Sequence, residues 1–186
     1  MAFIITDFPD LMVFVPKVWE DNRGYFYESY NEKNFLEQQV NIHFVQDNQA
    51  KSSFGVIRGL HFQNDPFAQS KLIRVLSGKI IDVAVDLRNG SPMYGKAFSI
   101  ELSAENKKQL FVPKGFAHGY SVISETAEVF YKTDEFYNKD LEGGIFYNDL
   151  ALAIDWKVPT DKAVISDKDK ILPLLKDFTS SFEFKK

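Results

Sequence analysis

The chain has 186 residues, of which 45% are hydrophobic and 26% charged, as in an ordinary globular protein with a sizeable core. Its formal net charge of −4 argues against a nucleic-acid-binding protein, which normally presents a basic surface. The absence of cysteine excludes disulfides, thiolate nucleophiles and cysteine-ligated metal sites.

Short apolar runs separated by turn signals recur along the whole chain, which is typical of an all-β sandwich or barrel. The aromatic content of 15% favours the same class over a helical bundle. The predicted strands are 11–16, 24–30, 42–48, 54–63, 70–76, 79–87, 96–102, 108–113, 119–123, 126–133 and 144–148. Helical signals are confined to 31–39 and to a short turn that Ser166 caps. No repeat or linker divides the chain, so we expect one domain over residues 1–186.

Two features of the sequence bear on its location. No apolar run approaches the roughly 20 residues of a membrane-spanning helix. Residues 1–7 lack the basic start and the cleavage site of a signal peptide. We therefore expect a cytoplasmic protein whose partners include neither a membrane nor a nucleic acid.

The segment 80–87 alternates with a period of two. One parity carries Ile80, Asp82, Ala84 and Asp86, and the other parity carries only aliphatic residues. This pattern predicts a strand whose aliphatic face turns inward and whose two carboxylates lie on the opposite face.

Two of the three histidines, His61 and His118, lie in tight segments that contain glycine. The run Pro113-Lys114-Gly115-Phe116-Ala117-His118 is similar to the second half-motif of the cupin jelly roll. Metal-binding cupins carry two histidines and a glutamate in the first half-motif, but here Gln63 stands where the second histidine would be. Two imidazoles and an amide are a poor ligand set for a transition metal, so the sequence favours a site without a metal.

Without a metal, His61 is available as a general base, because imidazole titrates near neutral pH. The alternative is a core histidine whose ring is satisfied by the backbone. Arg58 lies three residues earlier, and a regular strand would place the two side chains on opposite faces. Gly59 permits a β-bulge that would turn both of them toward one cavity.

The other candidates each have two interpretations. Lys71 shares the parity of apolar residues in its strand, so it faces the barrel interior or reaches water at the strand end. Tyr131 and Tyr137 are either proton donors or aromatic residues at a barrel rim. Asp169 lies in a late loop, where most aspartates are solvated. His43 has no polar neighbours and is interpreted as structural.

Many segments resemble, in order and spacing, the dTDP-4-dehydrorhamnose 3,5-epimerase family from about residue 12 to residue 175. The matching segments are 21–29, 44–48, 56–63, 69–75, 82–88, 91–92, 102–106, 109–119, 127–132, 148–149, 154–156 and 165–169. The resemblance implies an all-β cupin jelly-roll barrel (a double-stranded β-helix) with a few short helices and no metal or other cofactor. It also implies a homodimer, with a barrel core at about 42–150 and N-terminal strands exchanged between subunits.

The resemblance assigns four catalytic residues. His61 would remove a proton next to the C4 keto group of the sugar, and Asp169 would orient its imidazole. Lys71 would stabilise the enolate oxygen, and Tyr131 would deliver a proton from the opposite face. A separate group is expected to bind substrate. Its members beside the sugar and diphosphate are Asn48, Arg58, His118 and Lys168. Its members at the nucleotide are Gln46 and, from the partner subunit, Arg23 and Glu28. Glu142 is a further expected contact, and Asp82 an expected partner of His118.

The implied activity is inversion of C3, C5 or both in a nucleotide-diphosphate 4-keto-6-deoxy sugar, in the synthesis of a surface polysaccharide. The chain departs from the family pattern at Trp19, at residues 64–68 and at Phe136, where many members have a tyrosine before the residue matching Tyr137. These departures leave a GDP-linked 4-keto-6-deoxy-heptose open as the alternative substrate. The rival functions are a metal-dependent cupin enzyme, a non-catalytic sugar-binding cupin module and a 3,4-ketoisomerase.

Overall fold

A computed structural model describes residues 2–185. Its strands are β1 (Ala2–Ile5), β2 (Met12–Val15), β3 (Trp19–Asp21), β4 (Gly24–Phe26), β5 (Gln46–Ser53), β6 (Ile57–Gln63), β7 (Lys71–Ser77), β8 (Lys79–Asp86), β9 (Ala97–Ser103), β10 (Gln109–Val112), β11 (Phe116–Val122), β12 (Thr126–Thr133) and β13 (Glu142–Gly144). Two short α-helices, α1 (Glu32–Glu37) and α2 (Asp167–Lys170), accompany four single 3₁₀ turns. No helix in this part of the chain is long and apolar enough to cross a membrane.

Two antiparallel sheets form the body of the molecule. One sheet has the strand order β1-β2-β10-β7-β12-β5, and the other has the order β13-β6-β11-β8-β9. They pack face to face as the jelly-roll barrel that the sequence predicts. The hairpin β3–β4 forms a separate two-stranded ribbon.

Three apolar clusters cover the faces of these sheets. The interior cluster lies between the sheets and includes Ile73, Val75 and Val129. A second cluster lies on the outer face of the five-stranded sheet, which the later part of the chain covers with side chains such as Trp156. The third forms where Phe35 of α1 packs on the outer face of the six-stranded sheet. Because both faces of both sheets are largely covered, the central strands are buried on each side.

The prediction for segment 80–87 was wrong about its carboxylates. The face that carries Asp82 points into the barrel, while the aliphatic face packs under the later part of the chain. Both Asp82 and Asp86 are fully buried. Each has a basic partner, because Asp82 Oδ1 lies 2.9 Å from His118 Nε2 and Asp86 Oδ2 lies 2.8 Å from Arg88 Nη2. Such pairing offsets the cost of burying a charge.

Other differences concern strand boundaries. The helix predicted at 31–39 is observed as α1, with Asn31 as its N-cap. The strand predicted at 42–48 is instead β5, a polar edge strand that has one face toward the barrel interior. Strand β11 begins three residues earlier than predicted, at Phe116, and therefore contains His118. The strands β1 and β3 were not predicted because they are short and largely exposed.

Candidate active site

A cavity of about 540 Å³ lies between the two sheets. Its polar lining consists of Arg58, His61, Lys71, His118, Tyr120, Tyr131, Ser166, Lys168 and Asp169. A smaller recess of about 130 Å³ shares three of these residues, His61, Lys71 and Tyr131. The recess adds Gln46, Asn48, Gln63, Gln69, Tyr137 and Glu142. The two spaces therefore form one site that has His61, Lys71 and Tyr131 at its centre.

His61 and Asp169 form a hydrogen-bonded dyad on one side of this site. Asp169 is buried on α2, where its backbone N–H donates to the capping Ser166 Oγ. Its Oδ1 lies 2.7 Å from His61 Nε2, and its Oδ2 accepts from the Gly59 N–H at 3.3 Å. Burial opposes the charge, but the bonds from His61 and Gly59 hold the pKa of Asp169 below its usual value. A carboxylate only accepts, so Nε2 carries the proton and Nδ1 has the free lone pair.

A β-bulge brings Arg58 and His61 into the same cavity. The pairing of β6 with β11 shifts by one residue between His61↔His118 and Arg58↔Tyr120. The bulge predicted from Gly59 is thereby confirmed. Gly59 has a φ of +128°, and a Cβ at this position would lie 2.6 Å from Gly119 Cα. Only glycine allows this close approach between the two strands.

Lys71 and Tyr131 belong to the opposing, six-stranded sheet. Tyr131 on β12 is the Cα partner of Ile73 on β7, two residues from Lys71. The side chains of Lys71 and Tyr131 both line the cavity. Burial lowers the pKa of Lys71 to about 8, although the charges of Asp82 and Glu142 oppose this effect. Burial raises the pKa of Tyr131, so its phenol stays protonated at neutral pH. Of the two interpretations left open for Lys71, the interior orientation is therefore the one observed.

The second histidine, His118, is Cα partner of His61 across β6 and β11 and is bonded to Asp82. Within residues 2–185, no group of three or more potential metal ligands among His, Cys, Asp and Glu is assembled. Gln63 has its amide engaged elsewhere. Its Nε2 donates to the carbonyls of Phe67 and Phe136, and its Oε1 accepts from the Asn138 N–H. Gln63 thus anchors the loop that carries Tyr137.

A hydrogen-bonded group surrounds the recess. Lys168 Nζ forms an ion pair with Glu142 Oε1, and the Tyr137 hydroxyl donates to Glu142 Oε2 at 3.0 Å. Burial opposes ionisation of Glu142, but its bonds to Lys168 and Tyr137 hold its pKa below the usual value. Gln46 Nε2 donates to Asn48 Oδ1 at 2.9 Å, and Gln46 Oε1 accepts from the Tyr137 N–H. These polar side chains are therefore preorganised around one opening.

Arg23 and Glu28 are the two predicted site residues that do not line the cavity or the recess. Arg23 lies at the turn of the β3–β4 hairpin and pairs with Asp21 at 2.6 Å, both side chains being exposed. Glu28 accepts from Asn31 Nδ2 at 3.0 Å. The hairpin also exposes Trp19. The location of Arg23 and Glu28 at the site of a partner subunit stays a prediction.

Tyr120 is a cavity residue that the sequence did not indicate. It shares its parity with His118 on β11, and both side chains face the barrel interior. Because the predicted strand began at residue 119, that shared parity was not evident. Tyr120 could have been found by extending the predicted strand back to His118, because the period of two then places both side chains on the same face.

The fold and the cavity define a protein of the cupin type, a jelly-roll barrel with a polar cavity between its sheets. Comparison with known proteins then specifies the family. The chain belongs to the dTDP-4-dehydrorhamnose 3,5-epimerase family, whose model matches residues 5–177.

Individual relatives agree with this assignment. A dTDP-4-dehydrorhamnose 3,5-epimerase of Shigella flexneri is 50% identical over 170 residues, covering 91% of this chain and 93% of the relative. The crystal structure of such an enzyme from Elizabethkingia anophelis NUHP1 is 52% identical with a TM-score of 0.91, covering 95% of this chain and 97% of that one.

A third relative bears on the substrate. A dTDP-6-deoxy-D-glucose-3,5-epimerase of Legionella pneumophila, solved in complex with dTDP-4-keto-L-rhamnose, is 40% identical with a TM-score of 0.94. The match covers 100% of this chain and 99% of that chain. These relatives are named for dTDP-linked hexoses, so the comparisons do not favour the GDP-heptose alternative.

Proposed function

We propose that this protein is a dTDP-4-dehydrorhamnose 3,5-epimerase, which inverts C3 and C5 of a dTDP-linked 4-keto-6-deoxy sugar. The observation that carries the proposal is the placement of two proton-transfer groups on opposing sheets. His61, with Asp169, lies on the five-stranded side of the cavity, and Tyr131 lies on the six-stranded side. Inversion at carbon needs a proton to leave from one face and another to arrive at the opposite face.

His61 supplies the base. A hydrogen on the carbon next to a ketone is weakly acidic, and Nδ1 is the ring nitrogen that Asp169 leaves free. The Asp169 carboxylate fixes this tautomer and stabilises the imidazolium that forms as the proton is taken. A positioned base of this kind contributes about 10²–10⁴-fold to the rate.

Lys71 stabilises the enolate. Removal of the proton moves negative charge to the C4 oxygen, and a preorganised cation lowers the barrier where that charge develops. With a pKa of about 8, Lys71 is mostly protonated at pH 7. The ammonium therefore supplies a positive charge inside the cavity.

Tyr131 returns a proton to carbon. Burial raises the pKa of its phenol, so it is neutral and holds the proton required for donation. Because Lys71 stabilises the enolate intermediate, the carbon can be protonated from the side of the cavity on which Tyr131 lies. After one inversion His61 holds a proton and Tyr131 lacks one, so proton exchange with solvent returns both groups to their starting states. The same steps then run at the second carbon, because C3 and C5 both flank the C4 ketone.

The remaining polar residues bind the substrate. Arg58 donates from Nε to Ser52 Oγ and presents its guanidinium to the cavity, where it suits a diphosphate oxygen. The sugar and the nucleotide are bound by the polar side chains near Arg58, which are Lys168, Gln46, Asn48, Glu142 and His118. The exposed ring of Phe136, next to Tyr137, offers a stacking surface to the base.

The protein acts as a homodimer in this proposal. The β3–β4 hairpin extends exposed aromatic residues, including Trp19 and Tyr25, outside the barrel. Its Arg23 and the nearby Glu28 reach the nucleotide in the partner's site. The enzyme works in the cytoplasm and supplies an activated deoxysugar for surface polysaccharide.

Hydrogen exchange with solvent tests this function. The protein is incubated in D₂O with dTDP-4-keto-6-deoxyglucose or, in parallel, a GDP-linked 4-keto-6-deoxy-heptose, and C3 and C5 are followed by NMR. We expect deuterium at both carbons of the dTDP sugar and a product with both centres inverted. Exchange at C3 alone would show that the protein is a 3-epimerase. No exchange at either carbon would refute the proposed function.

A further inference from the structure

Two buried polar atoms on the interior face of the five-stranded sheet make no hydrogen bond of good geometry among residues 2–185, although the Ser52 side chain, which accepts from Arg58 Nε, lies close to one of them. They are Tyr120 Oη and Asp82 Oδ2. The Tyr120 residue is 5% exposed and Asp82 is 0% exposed. A buried donor or acceptor without a partner is unfavourable, and native structures contain few of them. The pair therefore indicates a ligand for both atoms.

The two residues are direct neighbours. Tyr120 on β11 and Asp82 on β8 are Cα partners in the sheet, so their side chains leave the same face side by side. The other oxygen of Asp82 is already used by His118 Nε2. Tyr120 also lines the cavity that contains His61 and Lys71. Tyr120 thus belongs to the inner wall of the proposed active site, and Asp82 lies directly beside it in the sheet, behind that wall.

Their chemistry is complementary to a single hydroxyl. Burial raises the pKa of the Tyr120 phenol, which therefore stays protonated and can donate. A carboxylate oxygen of Asp82 can only accept. A water molecule that accepts from Tyr120 and donates to Asp82 satisfies both atoms and retains further hydrogen-bonding capacity.

We propose that Tyr120 and Asp82 hold one water molecule at the inner wall of the cavity and position the Lys71 ammonium through it. This inference rests on the proposed function, in which Lys71 faces the enolate oxygen. Tyr120 and Asp82 act here as positioning residues, since they reach the reacting atoms only through Lys71.

The charge of Asp82 is part of this arrangement. It acts on Lys71 to raise the pKa that burial has lowered to about 8. The charged and titratable groups that surround Lys71 are Arg58 and His61 on β6, Asp82 on β8, His118 and Tyr120 on β11, Tyr131 on β12, Glu142 on β13, and Lys168 and Asp169 on α2. Of these, Asp82 is the one whose second oxygen is left without a partner.

The first test replaces one hydroxyl. In Tyr120→Phe we expect kcat for deuterium exchange to fall about 5- to 10-fold, as for the loss of one hydrogen bond, with KM changed less than about twofold. The matched control is Tyr147→Phe, because Tyr147 packs on the opposite, outer face of the sheet beside Trp156. The control should keep the parent kcat. Equal kcat values for Tyr120→Phe and the parent would overturn the proposal.

The second test follows the pH dependence of exchange. Lys71 must be protonated, so kcat falls as the pH rises through its pKa of about 8. Asp82→Asn removes the charge that raises this pKa, so the alkaline limb should move to lower pH. Tyr120→Phe keeps that charge and should leave the limb closer to the parent position. A limb that does not move in Asp82→Asn contradicts the positioning role, even if the variant is less stable.

A crystal structure provides a readout that is independent of activity. At a resolution that shows ordered water, one molecule should lie within hydrogen-bond distance of both Tyr120 Oη and Asp82 Oδ2, and it should be missing in Tyr120→Phe. A parent structure without it overturns the inference. Loss of all exchange in the parent chain would instead refute the proposed function, so the two failures are distinguishable.

Discussion

Two carboxylates on one face of one strand have opposite surroundings. Asp82 and Asp86 are four residues apart on β8, and both are fully buried. Asp86 accepts from the Arg88 backbone N–H, from Arg88 Nε and Nη2, and from Ser91 Oγ. Asp82 has one bond, to His118, and one oxygen without a partner.

The difference separates a structural region from a chemical one. Arg88 lies between the rings of Phe116 and Phe184 and also pairs with Asp10, so it joins the N-terminal loop, the barrel and the C-terminal tail. Within residues 2–185, the buried side-chain polar atoms of Asp86 and Arg88 all have hydrogen-bond partners. Beside the cavity, the second oxygen of Asp82 and the Tyr120 hydroxyl lack partners among residues 2–185, which fits the water molecule proposed to position Lys71.

The largest effect is expected on the cavity side. His61→Asn removes the base but keeps a side chain of similar polarity, so deuterium exchange should fall by about 10²–10⁴-fold. The free energy of unfolding, measured by urea titration, should fall by about 1–3 kcal/mol, because the buried Asp169 loses the bond from His61 but keeps the bond from the Gly59 N–H. Binding of dTDP by calorimetry should be retained. Turnover at the parent rate would show that another group is the base.

The next effect is expected on the saturated side. Arg88→Met leaves Asp86 buried without its cation, which should cost about 3–5 kcal/mol of the free energy of unfolding. The matched control is Arg23→Met, since Arg23 is an exposed arginine and should leave unfolding unchanged. Exchange activity per folded Arg88→Met molecule should equal that of the parent. A stable variant with reduced activity would reverse the distinction between the two regions.

The smallest effect concerns the hairpin, which belongs to neither region. Arg23→Ala should leave the unfolding transition of the subunit unchanged, because the Arg23–Asp21 pair is exposed. If the hairpin serves the partner's nucleotide, the KM for the dTDP sugar should rise while kcat stays within a few fold. Sedimentation of the parent should give the mass of a dimer. A monomeric parent enzyme with full activity would exclude this role of Arg23.

The sequence predicted local features more successfully than distant ones. Strand periodicity identified most of the barrel, and Gly59 correctly predicted the bulge that brings Arg58 and His61 together. The prediction misplaced the polar strand β5, because its interior face lines a cavity and lacks the apolar pattern on which the prediction relied.

Contacts across the chain were beyond such reasoning. The prediction placed the carboxylates of β8 on the wrong face. The aliphatic face is covered by residues far along the chain, such as Trp156, which local periodicity does not reveal. The pairing of His61 with Asp169 spans 108 positions, and local pattern alone left Asp169 as an ordinary loop aspartate. It was the family resemblance that proposed their partnership.

That separation also links catalysis to folding. The segment that carries Asp169 on α2 lies between residues that cover the outer apolar face of the five-stranded sheet, such as Trp156 before it and Phe182 after it. A local unfolding event that detaches this segment exposes the apolar face to water and, at the same time, separates Asp169 from His61. Proton-transfer activity therefore reports whether the last quarter of the chain is docked, and a truncated or nicked protein should lose catalysis together with its cooperative unfolding.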